Sequence, residues 1–99
     1  MNYRFHPDAF DEFHDSVAFY QHRLPGLGAD YVAEFDAVMA RICRNPSMYL
    51  AIADPDIHRA GLKRFPFHVI YREMPAQIMV LAVAHERRRP GYWVGRVDR

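Results

Sequence analysis

The sequence has one cysteine and one tryptophan, and one lysine, Lys63, among its thirteen basic side chains. With a single cysteine, an internal disulfide is excluded. Cys43 falls in a helical pattern and reads as a small core residue rather than a nucleophile. Long apolar runs are also missing. The longest, residues 78–84, is far short of the ~20 residues that span a bilayer. The opening MNYRFHPDAFDEF is too charged for a secretory signal, so the chain is expected to be cytoplasmic, with no membrane partner. There are six histidines, but no two stand at H-x-x-x-H or H-E-x-x-H spacing and no cysteine partners them, so no metal is expected. No glycine-rich phosphate loop or nucleophile elbow occurs, which leaves no cofactor to expect. Repeats, low-complexity segments and linkers are absent.

What remains suits one small domain over residues 1–99, with 51% apolar residues arguing against intrinsic disorder. The net charge of +1 hides an asymmetry. Residues 1–56 carry nine acidic side chains to four basic, and residues 57–99 carry nine basic to three acidic. The basic half is almost wholly arginine, whose planar donor fork suits phosphate and carboxylate. An anionic partner for that half is one reading, and ordinary solvated charge is the other.

The apolar spacing predicts the elements. After a short extended entry, Pro7 suits a first helical position, with Asp8, Asp11 and Glu12 in the first turn. Phe10, Phe13, Val17, Tyr20 and Leu24 make one helical seam, which Pro25-Gly26-Leu27-Gly28 breaks. Tyr31, Phe35, Val38 and Ile42 make a second, stopped by Asn45-Pro46. Residues 47–56 are irregular. Three strand-like runs follow at 57–63, 67–72 and 78–84, with Phe67, Val69 and Tyr71 on one face of the middle run and His68 and Arg72 on the other. The third is apolar on both faces, as in a central strand. The expected class is α+β, in the order β-α-α-β-β-β, with an N-terminal helical hairpin packed on one face of a small antiparallel sheet. The tail from 94 to 99 is expected to fray.

The last run exits into AHERRRPGYW, where three consecutive arginines lie between a His-Glu pair and Pro-Gly-Tyr-Trp. Alternation sends those arginines in different directions. Arg88 is the one expected in a site; Arg87 and Arg89 read as solvated or partner-facing.

These motifs in this order resemble the RelE/ParE superfamily, toxins of type II toxin–antitoxin (plasmid stabilisation) systems. The likeness rests on Phe5, Pro7, Ala9 and Glu12 in the opening, and on P-G-L-G after the first helix. It also rests on Arg59, Lys63 and Arg64 leading into Phe65-Pro66-Phe67 with Tyr71-Arg72, and on Ala82 to Trp93 as AVAH-E-x-R-x-P-x-Y-W. The resemblance implies the fold just described, growth inhibition, and a cognate antitoxin protein that covers the toxic surface. The target it implies is either the ribosome and its mRNA or DNA gyrase, with DNA met only through the antitoxin.

For a metal-independent endoribonuclease, the residues implied are Arg59, Arg64, His68, His85, Arg88 and Tyr92, serving as phosphate clamps and proton-transfer groups. Partner or nucleic-acid contacts are expected from Arg59, Lys63, Arg64, Arg72, Arg87, Arg88 and Trp93. Two departures from the family's nucleases favour a gyrase-directed or uncharacterised target: His68 replaces an arginine, and Glu86 stands where a further catalytic arginine is expected. Whether the chain is an enzyme is left open, as is an inactive nucleic-acid-binding or interaction module on the same scaffold. Arg88 also has a structural reading, stacked on Tyr92 or Trp93.

Overall fold

The computed structural model describes residues 1–98. The chain runs β1 (Asn2–Phe5), α1 (Pro7–Arg23), α2 (Leu27–Arg44), a 3₁₀ turn at Pro46–Met48, β2 (Leu50–Ala53), β3 (Ile57–Gly61), β4 (Phe67–Glu73), β5 (Gln77–His85) and a second 3₁₀ turn at Val94–Arg96. The expected α+β architecture is present, with the helical hairpin over one face of the sheet.

Local chemistry sets the helix ends. The extended His6 caps α1, its Nδ1 accepting the Asp8 N–H at 3.1 Å, and Pro7 occupies the first turn, where a missing N–H costs nothing. The helical turn is shorter than the four-residue breaker suggested, because α2 begins at Leu27. Gly26 supplies the left-handed φ of 94°. Gly28 lies inside α2 and lets the two helices approach closely, since a Cβ there would sit 3.0 Å from the Val17 carbonyl oxygen.

The sheet has five strands in the order β1-β5-β4-β3-β2. Pairs β5-β4, β4-β3 and β3-β2 are antiparallel, as short turns require. Two features go beyond the sequence reading. The irregular stretch contains β2, a short edge strand paired with β3 through a register shift between Ala51 and Ala53. And β1 pairs with β5 in parallel, Asn2 against Gln77 through Phe5 against Val80, so the sheet is mixed. The helical hairpin carries the chain from β1 across to β2 at the opposite edge, and the antiparallel strands bring β5 back beside β1.

A bulge in β5 near Leu81 resets its alternation, since Ile70 faces Ala82 but Tyr71 faces Val80. Ile78, Val80 and Val83 therefore join the core beneath the helices, while Met79, Leu81, Ala82 and Ala84 join a second apolar layer on the other face. The helix-side core holds Phe35, Val38, Met39, Ile42, Val69 and Tyr71, all buried. Phe13 and Phe35 have ring centroids 4.4 Å apart, and the Tyr71 hydroxyl donates to the Pro46 carbonyl at 2.5 Å. The first seam is partly buried at its centre, at Phe13, Val17 and Tyr20. Phe10 and Leu24, at its ends, stay about half exposed; Leu24 lies past the last helical turn and Phe10 rests edge-on against Phe5 of the border strand. Among the described residues, no helix is long and apolar enough to cross a membrane.

Candidate functional site

On the sheet face away from the helices, the second apolar layer is only partly covered. Trp93 caps it, 7% exposed, against Ile57, Ile70, Leu81, Ala82 and Ala84. Burying an aromatic of this size contributes about 2–3 kcal/mol, enough to hold the chain after β5 down on the sheet. Between that returning chain and strands β2 to β5 lies a cleft of about 430 Å³. Alternation along β3 and β4 puts Arg59 and His68 on its floor with Ile70, while Glu86, Arg88, Arg89, Tyr92 and Trp93 line it from the turn that follows β5.

The electrostatics are distinctive. Arg59, Arg88 and Arg89 bring three permanent positive charges to a concave, partly apolar surface. His68 Nδ1 is buried without a hydrogen-bond partner among the described residues. Burial, followed by Arg59, pulls the His68 pKa below its usual 6.5, and Glu86 opposes them. The imidazole is thus neutral at pH 7. No group of His, Cys, Asp and Glu suited to a metal ion exists among the described residues.

Tyr92 is committed. Its hydroxyl donates to Glu12 Oε2 at 2.9 Å, and the guanidiniums of Arg88 and Arg96 lie over its ring at 3.9 and 4.9 Å. Burial, then the bond to Glu12, raises its pKa above the ordinary tyrosine value. Glu12 also takes a bidentate ion pair from Arg96, both N···O distances 2.9 Å. That pair raises the Arg96 pKa further, against the opposing effect of burial.

The structure brings together Arg59, His68, Arg88, Tyr92 and Trp93. His85 borders the cleft, but its ring stands 5.1 Å from Phe67, towards a groove lined by Asp15, Ser16, Phe19, Tyr20 and Phe67, and its Nδ1 accepts the Arg87 N–H at 3.0 Å. Arg87 itself is exposed. Arg72 shares the open sheet face but lies farther along β4, opposite Ile57 and Met79. Lys63 and Arg64 are elsewhere. Both donate their backbone N–H to the Glu34 carboxylate on α2, and the Arg64 side chain lies 3.5 Å from Asp30. Arg89, expected to be solvated or partner-facing, lines the cleft, and Arg96, which no motif singles out, sits in the tail expected to fray. Glu12, already visible in the opening motif, was the available signal: an acid on a helix face turned towards the sheet requires a cation.

No family model matches the chain, and no curated protein matches it. Among solved structures, a chain of the chromosomal ParDE toxin–antitoxin system from P. aeruginosa superposes with a TM-score of 0.72 at 16% identity, covering 86% of this chain and 95% of that one. The two chains share one fold. It is the fold expected from the motifs between Phe5 and Trp93.

Proposed function

We propose that the chain is the toxin component of a type II toxin–antitoxin system, inhibiting growth until a cognate antitoxin covers it. The observation that carries this reading is the arginine cleft, with Arg59, Arg88 and Arg89 gathered on the open sheet face of a scaffold shared with a ParDE chain. An acidic, partly apolar antitoxin segment fits both the cleft and the apolar groove between α1 and the sheet, where Phe19 and Tyr20 meet Phe67. The functional test is expression alone and together with a candidate antitoxin. Growth arrest relieved by that partner is expected; normal growth at high levels of soluble protein would leave only a binding module on the same scaffold.

The favoured target is DNA gyrase or another non-ribosomal one. Support comes from Tyr92, whose proton is held by Glu12 and is poorly placed for transfer, and from Glu86, a negative charge lining the cleft. Inhibition of gyrase supercoiling by purified protein is the direct assay. One observation favours ribosome-dependent mRNA cleavage instead: His68 is neutral at pH 7 beside Arg59, as a general base requires. Codon-positioned cuts in transcripts on translating ribosomes would establish that alternative.

A further inference from the structure

Glu12 lies on α1, in the helical layer, yet it contacts the groups that hold the cleft together from the opposite side of the fold. We propose that Glu12 is a positioning residue of the cleft: its carboxylate sets the ring of Tyr92, and that ring sets the guanidinium of Arg88. The inference rests on the cleft being the functional surface proposed above.

Each carboxylate oxygen serves two donors. Oε1 accepts the Val83 N–H at 3.0 Å and Arg96 Nη1 at 2.9 Å; Oε2 accepts the Tyr92 hydroxyl and Arg96 Nη2, both at 2.9 Å. Arg96 Nη1 also donates to the Leu81 carbonyl at 3.0 Å. The Tyr92 hydroxyl is thus tied to the backbone of β5, the strand whose end lines the cleft. Burial of Trp93 fixes the chain at that point, and the bond to Glu12 fixes the tilt of the neighbouring tyrosine ring.

Arg88 depends on that ring. Its guanidinium lies 3.9 Å from the Tyr92 centroid, and it makes no ion pair among the described residues. A second guanidinium, Arg96, stands over the same ring. The two like charges repel; Glu12 offsets that of Arg96 most directly, at 2.9 Å, and Asp8 adds a second carboxylate at 3.7 Å. Loss of its charge therefore loosens the ring and removes the nearer of the two carboxylates that hold Arg96 over it.

Glu12→Gln is the informative variant. Whichever way the amide turns, its NH₂ meets two of the four donors and the charge that grips Arg96 and the Tyr92 hydroxyl is gone, so the hold on Tyr92 weakens while the side-chain shape is kept. The readout is ¹H–¹⁵N NMR of the Arg88 side-chain N–H groups in the full chain, which the Tyr92 ring current shields in the wild type. Tyr92→Leu supplies the unshielded reference. In Glu12→Gln the Arg88 resonance should move at least half-way to that reference, with helical circular dichroism and Trp93 emission unchanged. An Arg88 resonance that stays at its wild-type position in folded Glu12→Gln overturns the proposal. In cells, Glu12→Gln should weaken growth arrest as much as Arg88→Ala does, and the double variant no further, as expected of two residues acting through one contact. Full arrest by Glu12→Gln would also overturn it. If the wild type itself causes no arrest, the toxin reading fails, and the NMR measurement alone decides the positioning role.

Discussion

Glu12 and Arg96, 84 residues apart, together replace two missing rungs of a β-ladder. Strand β1 covers β5 only from Gln77 to Val80, and the last ladder-like bond is His6 N–H to the Val80 carbonyl at 2.8 Å. Past that point the chain has turned into α1. The Val83 N–H would then lie unpaired beneath the helix, and the Leu81 carbonyl beside it. The Glu12 carboxylate accepts the first and the Arg96 guanidinium donates to the second. A buried backbone group left without a partner is costly, so one ion pair closes a strand edge and ties the first helix to the last turn.

Removing either partner should therefore cost more than an exposed salt bridge would. The two side chains are 16% and 11% exposed, and each loss orphans a backbone group and takes from the remaining charge its nearest partner, Arg96 keeping only Asp8 at 3.7 Å. Glu12→Ala or Arg96→Ala is expected to destabilise by about 2–4 kcal/mol, against up to ~1 kcal/mol for a surface pair. The double variant should cost clearly less than the two added. Urea unfolding measures all three, and a loss below ~1 kcal/mol for Glu12→Ala would reduce the pair to a surface contact.

Tyr31 gives a prediction of opposite sign. Its ring is fully buried among Tyr20, Phe65 and Phe67, yet among the described residues its hydroxyl has no hydrogen-bond partner. The nearby Ser16 hydroxyl donates instead to the Glu12 carbonyl at 2.8 Å. Burial pushes the Tyr31 pKa from 10.0 up to about 12. The folded state therefore holds a proton that the unfolded state releases, and stability present below pH 10 is lost as pH rises towards 12. Tyr31→Phe removes an unsatisfied polar atom and should be neutral or stabilising by up to about 1 kcal/mol at pH 7. It should also flatten part of the alkaline loss. Melting curves at pH 8, 10 and 11.5 test both; a large loss at pH 7 would mean that the hydroxyl is bonded after all.

The helices, their order and the three long strands were legible because their apolar spacing is strong and their breakers are explicit. Even the faces of β4 were readable, with Phe67, Val69 and Tyr71 under the helices as alternation requires. What escaped has a physical reason in each case. Leu50–Ala53 is a strand by virtue of pairing with β3, and four residues carry too little pattern to show it. The parallel direction of β1 is set by where the helical hairpin returns the chain. Within the site, Arg59, His68 and Arg88 were readable from motif position, whereas Lys63 and Arg64 were grouped with them by neighbourhood in sequence. The turn before β4 sends those two towards α2, where Glu34 and Asp30 meet them. The Glu12–Arg96 pair spans nearly the whole chain, and no local pattern announces such a contact.

His68 should titrate below 6.5 in the folded protein. Protonation needs Nδ1 to carry a hydrogen with no acceptor, in a cleft already holding the Arg59 charge. The unfolded chain binds that proton more readily, so this contribution to stability is present above pH 6.5 and lost as pH falls through the folded value. NMR titration of the ring should show Arg59→Gln raising its pKa and Glu86→Gln lowering it further. A midpoint above 6.5 in the wild type would contradict the desolvated placement and remove the case for His68 as a base.

The arginines should separate into two classes when antitoxin affinity is measured. Arg59 and Arg88 line the cleft, and Arg88 is spent on no carboxylate of this chain among the described residues. Arg64 already faces Asp30 at 3.5 Å and its own neighbour Phe65, both on the helix side. Arg59→Ala combined with Arg88→Ala is therefore expected to weaken binding of the purified antitoxin by about 2–5 kcal/mol, because acids seated in the cleft are left without counter-charges. Arg64→Ala should change it by less than about 0.5 kcal/mol, within the range of ordinary surface substitutions. Calorimetric titration at two salt concentrations makes the contrast sharper, since the double variant should also flatten the salt dependence. An unchanged affinity for the double variant would place the antitoxin's main contact in the apolar groove beside Phe19 and Tyr20, and leave the cleft to the cellular target.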